Sequence, residues 1–407
     1  MSVFKLPLML IILLMTSATV ADDKDQYLLT EKTYKALNAA QLLMEADKLS
    51  AAEIQLKSLL NKTESDSYES AIVQQTLGYL YYSQESYKQA IILFQQALDS
   101  KTLPEKVSQN LSYNLGQLLL ADEQYIKGIA LLEKWLKAEK SPPNSAYVLM
   151  ASAYYRIENY QQTIVNIRIA IKNDQSAKEA WYQVLLSAHL ELRHYKSAIT
   201  VLEMLITLYP YQKNYWLQLS TLYLQQNKEF TALSVKMLAQ RLELGDSKTQ
   251  INLADMYRYL NIPYKSAQLL KQGIESGIIA SDFDNLSRLA DSWLAAREDA
   301  KSAAILQKVA QLDDSGESDL KYGRVLFGLE QWKKAVKPLA NSLKKLKGKR
   351  LGVAHLLLGM TQFHLGQVVQ SKSSFTKAVA FENERNQAGQ WLRHVDNLIA
   401  KGNADDV

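Results

Sequence analysis

The sequence predicts an all-α fold in which one helix–turn–helix unit is repeated along the chain, and three observations point to it. The 407 residues include only 15 glycines and 7 prolines, too few to separate the many strands of a β or α/β protein of this length. The good helix formers Leu, Ala, Gln and Lys recur throughout. Residues of matching size also return at a nearly constant interval, and the 47% hydrophobic content allows a continuous core.

The repetition is clearest around Gly78 and Gly359. Each glycine follows a leucine, and a phenylalanine, Phe94 or Phe375, comes sixteen residues later. The equivalent position, which we call the small site, returns at intervals of 33 to 38 residues and marks repeats 1 to 10. A small residue there lets the first helix of a repeat lie against its second helix, and stacking completes a core that no single repeat can bury. The small sites are, in order, Ala40, Gly78, Gly116, Ala151, Leu186, Ser220, Ala254, Ala290, Gly323 and Gly359.

The order Leu-Gly, Tyr, Tyr, Ala, Phe and Ala within a unit resembles the tetratricopeptide repeat, whose period is about 34 residues. The resemblance implies a superhelical solenoid of about ten units over residues 22–385, with Pro210 stopping one second helix. Large residues should fill the space between units, namely Tyr81, Phe94, Tyr154, Tyr223, Tyr257, Trp293 and Phe375. Others should stand near the start of second helices, namely Tyr87, Tyr125, Tyr160, Tyr195 and Trp332.

The pattern weakens in some places. Leu186 and Ser220 replace the usual Gly or Ala, and repeats 6 to 8 are expected to drift by about one residue. The sharpest breakers are residues 141–143 (Ser-Pro-Pro) and the polar segment 313–318. After repeat 10, apolar residues recur at helical spacing, so residues 386–407 are interpreted as a C-terminal cap helix and tail. Those apolar residues are Trp391, Val395, Leu398 and Ile399.

The N-terminus reads as a secretory signal peptide over residues 1–21. Lys5 precedes an apolar stretch, Leu6–Met15, and small residues then lead to a cleavage position after Ala21. An N-terminal membrane anchor is the alternative, but the apolar run is well short of the roughly 20 residues that a spanning helix needs. No later stretch is long and apolar enough either, so we expect an exported, soluble mature chain.

No pattern indicates catalysis, and we predict that the protein is not an enzyme and uses no cofactor or metal. The chain lacks cysteine, and its five histidines do not have metal-ligand spacing on a helix; His189 is interpreted as a core or groove residue and not a metal ligand. The adjacent Asp313 and Asp314 are interpreted as solvated charges. A net charge of +5 spread along the chain gives no footprint for nucleic acid. The basic run Lys344–Arg350 suits a helix C-terminus, with anionic lipid or envelope polymer as the alternative.

In tetratricopeptide folds the first helices line a concave groove. Tyr and Arg in such a groove are the residues expected to anchor a protein partner. By resemblance, the partner-binding groove would include Tyr79, Tyr82, Tyr113, Gln117, Tyr155, Arg156, Gln183, Arg258, Tyr259, Arg324 and Phe363.

Several short blocks also resemble periplasmic tetratricopeptide proteins that accompany TonB energy-transduction systems. The blocks are residues 180–183, 190–192, 214–219, 252–257, 262–264 and 390–392. The resemblance implies a periplasmic scaffold that serves the TonB, ExbB and ExbD complex in outer-membrane uptake of iron complexes or similar cargo. A Pro-rich extended peptide would suit a groove lined by Tyr. The alternative is a scaffold or chaperone for outer-membrane, polysaccharide or cell-wall assembly.

Overall fold

The computed structural model describes residues 27–405, with side chains to residue 400. Within that range it contains 21 α-helices and no strand, and it divides into two compact units, the first ending at Leu205 and the second beginning at Ile206. The first ten helices are α1 Glu31–Glu45, α2 Leu49–Leu60, α3 Tyr68–Ser83, α4 Tyr87–Asp99, α5 Glu105–Ala121, α6 Tyr125–Ala138, α7 Asn144–Arg156, α8 Tyr160–Asn173, α9 Glu179–Glu191 and α10 Tyr195–Leu208. The others are α11 Lys213–Gln225, α12 Glu229–Arg241, α13 Ser247–Tyr259, α14 Pro263–Glu275, α15 Phe283–Ala295, α16 Asp299–Val309, α17 Glu317–Gly328, α18 Trp332–Lys345, α19 Arg350–His364, α20 Val368–Val379 and α21 Arg385–Asp405.

The helices follow one another as ten antiparallel pairs, from α1 and α2 to α19 and α20, with α21 after the last pair. Short turns of three or so residues join the helices of each pair, which is the arrangement of an αα-hairpin. All ten small sites lie on the first helix of a pair. The fold is therefore a tetratricopeptide-type array of ten helix–turn–helix repeats followed by a terminal helix, as predicted.

Each repeat turns at the same place. Seven residues after every small site the backbone enters the left-handed region, with φ between 54° and 71°. The chain then closes a helix-ending hydrogen bond, for example from the Ser86 amide to the Tyr81 carbonyl at 2.8 Å and from Lys228 to Tyr223 at 2.9 Å. The turn residues are Asp47, Glu85, Glu123, Glu158, Arg193, Asn227, Asn261, Arg297, Glu330 and Gly366. The expected drift in repeats 6 to 8 is therefore wrong: their aromatic landmarks vary while the backbone register does not.

A second small position keeps the paired helices close. It lies twelve residues after the small site and is buried in all ten repeats, as Ala52, Ala90, Gly128, Thr163, Ala198, Ala232, Ser266, Ser302, Ala335 and Ser371. Four residues further on is a position that we call the large site. Those residues are Leu56, Phe94, Leu132, Ile167, Leu202, Lys236, Leu270, Leu306, Leu339 and Phe375, and all except Lys236 are at most 1% exposed.

The small and large sites of a repeat face each other. A Cβ added at Gly78 would lie 2.5 Å from the Phe94 ring, and one at Gly359 would lie 2.7 Å from the Phe375 ring. Such distances are shorter than any van der Waals contact. The alternation of small and large residues seen in the sequence is thus the packing of first helix against second helix.

The residues predicted to pack between units are buried, but Phe94 and Phe375 face the small site of their own repeat and so pack between its two helices. Tyr81, Tyr154, Tyr223, Tyr257 and Trp293 are at most 9% exposed, and Phe94 and Phe375 are fully buried. The five aromatics expected near second-helix starts are each the first residue of α4, α6, α8, α10 and α18.

The terminal helix α21 covers the last pair, as expected of a cap. Val395 and Ala388 are fully buried, and the Trp391 ring stacks on Phe375 at 5.7 Å between centroids with an interplanar angle of 10°. Leu398, by contrast, is 41% exposed.

Asp313 corrects the interpretation of residues 313–314 as solvated charges. Its side chain is only 8% exposed and accepts hydrogen bonds from the amides of Ser315 and Ser318, each at 2.8 Å. Burial alone would raise the pKa of Asp313, but hydrogen bonds from Ser315 and Ser318 outweigh it and hold the pKa at about 2. The carboxylate organises the loop before α17, while Asp314 is exposed.

The predicted signal peptide, residues 1–21, lies outside the described residues. None of the helices between residues 27 and 405 is long and apolar enough to cross a bilayer.

Candidate partner-binding surface

The eleven predicted groove residues all lie on first helices and at few repeat positions. Relative to the small site they stand three residues before it, one after it, or four or five after it. These offsets fall on one face of an α-helix. We call this surface the first-helix face; seven of the eleven residues lie in the first unit and four in the second.

Two aromatic residues of the first-unit face, Tyr79 and Tyr113, pack partly against other residues of the repeats. The Tyr79 ring lies edge-on to Phe94, with centroids 5.0 Å apart, and its hydroxyl accepts a hydrogen bond from Asn114 of the next repeat at 2.8 Å. Burial raises the pKa of Tyr79. Tyr113 stacks on Trp135 at 4.3 Å. Both rings are half-buried, so they form the wall of the face and leave little surface for a partner.

Tyr82 and Tyr155 are better placed to contact a partner. Each pairs with the tyrosine that begins the second helix of its own repeat: Tyr82 with Tyr87 at 5.9 Å, and Tyr155 with Tyr160 at 5.3 Å between centroids. The four rings are half-buried. Among the described residues, neither Tyr82 nor Tyr155 forms a ring or hydrogen-bond contact with the next repeat, so the exposed part of each half-buried ring is available to a partner.

The polar members of the first-unit face differ in exposure. Gln117 is half-buried, whereas Arg156 and Gln183 are exposed. The Gln183 amide donates a hydrogen bond to Glu179 at 3.3 Å, one turn earlier on the same helix. Arg156 therefore adds a solvent-accessible charge next to Tyr155.

In the second unit, Arg258 and Tyr259 come together at a pocket of about 610 Å³ between α13 and α15. Asp255 and Arg288 also line it and form an ion pair, with Arg288 Nη1 2.7 Å from Asp255 Oδ2. Tyr259 is 74% exposed. Among the ion pairs described for residues 27–400, Arg258 has no carboxylate partner, so the pocket carries an uncompensated guanidinium.

Sequence reasoning missed a contact that links successive first helices. The residue one after a small site contacts the residue two before the next small site. This is the relation of Tyr79 to Asn114, of Asp255 to Arg288 and of Asp291 to Lys321. Opposite charges at these two offsets were a readable signal for the last two pairs.

Arg324 and Phe363 complete the predicted set. Arg324 also stands one residue after its small site. The residue two before the next small site is Leu357, which cannot form an ion pair, and Arg324 is exposed. Phe363 is enclosed by aromatic rings, 5.1 Å from Trp391 and 5.4 Å from His394 between centroids. Arg324 can reach a partner, whereas Phe363 mainly packs against the terminal helix.

Other predicted features fall into structural roles. His189 is 8% exposed, and burial, with His194 and Arg168 nearby, lowers its pKa. Of the two alternatives, core or groove, the structure places His189 in the core. In the run Lys344–Arg350, Lys345 bonds Asp319 at 2.8 Å and Arg350 pairs with Glu317. No group of His, Asp and Glu residues suited to a metal ion occurs among the described residues.

Comparison with known proteins gives structural likeness alone. No family model and no curated protein matches the chain. A solved tetratricopeptide repeat protein from Parabacteroides merdae matches at 13% identity and a TM-score of 0.37, covering 64% of this chain and 98% of that one. YrrB, described as a tetratricopeptide protein with an unusual peptide-binding site, gives 13% identity and 0.37, with coverage of 46% and 96%. MamA from Desulfovibrio magneticus gives 20% and 0.37, with coverage of 46% and 99%. Similarity at this level does not extend to function.

Proposed function

We propose that this protein is a protein-interaction scaffold that binds partner segments on its first-helix face. The observation that carries the proposal is that eleven Tyr, Arg, Gln and Phe residues, seven in the first unit and four in the second, occupy the same face of their own first helices. Tyr and Arg are enriched among residues that dominate binding energy. A repeat array also offers a long surface suited to an extended segment.

The two units offer different chemistry to such a segment. The accessible tyrosine edges at Tyr82 and Tyr155 suit an apolar or proline-rich stretch, because aromatic-lined grooves bind extended proline-rich peptides at low entropic cost. The pocket at Arg258 suits an acidic side chain or a terminal carboxylate.

We propose further that the scaffold works in the periplasm as an accessory of the TonB, ExbB and ExbD system in uptake of iron complexes or similar cargo. The support is the signal-like pattern of residues 1–21 and the short blocks that resemble periplasmic tetratricopeptide proteins of such systems. Assembly of the cell envelope is the second candidate, and the experiment below separates the two.

The test is affinity capture from periplasm with full-length protein and a variant carrying Tyr82→Ala and Tyr155→Ala. We expect wild-type protein to recover TonB-system components and the variant to recover less, since each lost aromatic anchor costs on the order of 1–2 kcal/mol, and more at a hot spot. Tyr211→Ala is the matched control, because Tyr211 is 74% exposed and lies in the connection between α10 and α11, outside the first helices.

Circular dichroism must show that all variants are folded. Recovery of envelope-assembly factors in place of TonB components would transfer the assignment to the second candidate. Equal recovery by wild type and double variant would reject the first-helix face as the binding surface.

A further inference from the structure

One repeat breaks the packing rule that the other nine obey. The large site is a fully buried Leu, Ile or Phe everywhere except in repeat 6, where it is Lys236 and is only half-buried. A lysine at this position replaces apolar contact with a charged group that has to reach water. Burial lowers the pKa of Lys236, as expected of an ammonium held partly out of solvent.

The site that faces it is also abnormal. Large and small sites face each other across each pair of helices, as the glycine contacts in repeats 2, 3, 9 and 10 show. In repeat 6 the small site is Ser220, which is fully buried, and its hydroxyl oxygen has no hydrogen-bond partner in the protein. A buried hydroxyl without a partner is destabilising. Repeat 6 is therefore the one repeat with polar residues at both sites.

The unusual packing of repeat 6 extends to its interface with repeat 7, and we call such an interface between successive repeats a seam. Three residues after the large site comes a position that is buried in the other nine repeats, as Leu59, Ala97, Trp135, Ala170, Leu205, Gly273, Val309, Ser342 and Ala378. In repeat 6 this position is Ala239, which is partly exposed. A cavity of about 30 Å³ lies beside it among α11, α12 and α13, lined by Trp216, Lys236, Leu244 and Leu253. That space admits a water molecule.

We propose that the seam formed by α11, α12 and α13, which is the interface of repeats 6 and 7, is the place in the second unit that opens most readily. Its helices separate before those of the neighbouring interfaces do. In a repeat array each repeat contacts only its neighbours, so one poor interface sets the place of local opening. Lys236 weakens the seam because opening hydrates its ammonium group and also relieves the unpaired Ser220 hydroxyl.

Opening at this seam would affect the candidate binding surface. Helix α13 lines the cavity through Thr249 and Leu253 and carries Asp255, Arg258 and Tyr259 of the arginine pocket on its last turns. Movement of α13 away from α12 therefore carries one wall of that pocket with it.

Hydrogen exchange of the full-length protein, followed by mass spectrometry, tests the proposal without any partner. Peptides from residues 229–253 should exchange on the order of tenfold faster than peptides from residues 263–289, which form the next seam. Lys236→Leu, or Lys236→Met if Leu overpacks, should slow exchange of residues 229–253 on the order of tenfold and raise the melting temperature.

Two variants serve as controls. Lys265→Leu changes an exposed lysine of α14 and should leave exchange at both seams as it was. Leu270→Lys places a lysine at the large site of repeat 7 and should raise exchange of residues 263–289 to at least the rate of residues 229–253. The proposal is overturned if the two seams exchange equally in the wild type, or if both Lys236 variants leave exchange unchanged or accelerate it.

Discussion

The two units use the same repeat frame but join their repeats with different chemistry. In the first unit the joining contacts are made by tyrosines: Tyr81 donates its hydroxyl hydrogen to Glu53 at 2.7 Å, and Tyr79 accepts from Asn114 at 2.8 Å. In the second unit, ion pairs join neighbouring repeats or join the last repeat to the terminal helix. These are Lys213–Asp246, Arg288–Asp255, Lys321–Asp291, Arg350–Glu317 and Lys372–Asp396.

This difference between the units distinguishes the residues that the fold requires from those that can vary. The small sites, large sites and turns recur in both units because helix packing requires them, whereas the residues that join one first helix to the next are free to vary. Ion pairs with exposed members are screened by salt and typically contribute less than about 1 kcal/mol. Packed rings are not screened, so we expect the two units to respond differently to ionic strength.

The largest expected effect comes from breaking the core of one unit alone. Leu115 is fully buried on α5, and Leu115→Asp would bury an unpaired charge, at a cost on the order of 4 kcal/mol or more. Circular dichroism should show loss of helix in the first unit and a thermal transition of the second unit that is retained. Lys106→Asp, at an exposed position of the same helix, is the control. An unchanged melt for Leu115→Asp would show that the assigned register is wrong.

A smaller effect is expected at the buried loop carboxylate of the second unit. The pKa of Asp313 is about 2, below its ordinary value of 3.8, so its ionised form is favoured in the folded state. That contribution, roughly 2 kcal/mol by linkage, is complete above the unfolded pKa and is lost as the pH falls from about 4 to about 2. Asp313→Asn should thus destabilise at pH 7, and the difference from wild type should shrink over that range.

Chemical denaturation at several pH values measures this difference. Asp314→Asn, which removes the exposed neighbour, should have little effect at any pH. A cost for Asp313→Asn that is the same at pH 7 and pH 2 would contradict the role given to the hydrogen-bonded carboxylate.

The smallest expected effect compares equivalent contacts in the two units. A double-mutant cycle on Asp255 and Arg288 should give a coupling free energy below about 1 kcal/mol that falls further as salt is raised, because both side chains are about 40% exposed. A cycle on Tyr79 and Asn114 should give a coupling of about 1 kcal/mol that salt does not alter. Equal salt dependence in the two cycles would remove the distinction between the units.

The helical fold and the positions of the ten small sites could be predicted from the sequence, because packing two helices closely demands small and large residues at fixed separations. The constant register of repeats 6 to 8 could not, because their aromatic residues depart from the pattern. The cap helix was readable because its apolar residues recur at helical spacing. The role of Asp313 was not, since a short polar loop can place a carboxylate in solvent or against backbone amides. The arginine pocket could be predicted only in part. The offsets of Arg258 and Tyr259 from their small site place them on the first-helix face, but the pairing of Asp255 with Arg288 depends on the geometry between repeats.

The constant distance from small site to turn has a consequence for insertions. In every repeat the small site, the left-handed turn residue and the second small position keep separations of seven and twelve residues. The 33-to-38-residue variation in repeat length therefore falls after the turn, in the end of the second helix, the connection and the start of the next first helix. Extra residues, a tag or a grafted peptide should be accepted in connections such as residues 139–143, between α6 and α7. Even one residue added within a turn would rotate the second helix out of register with the first.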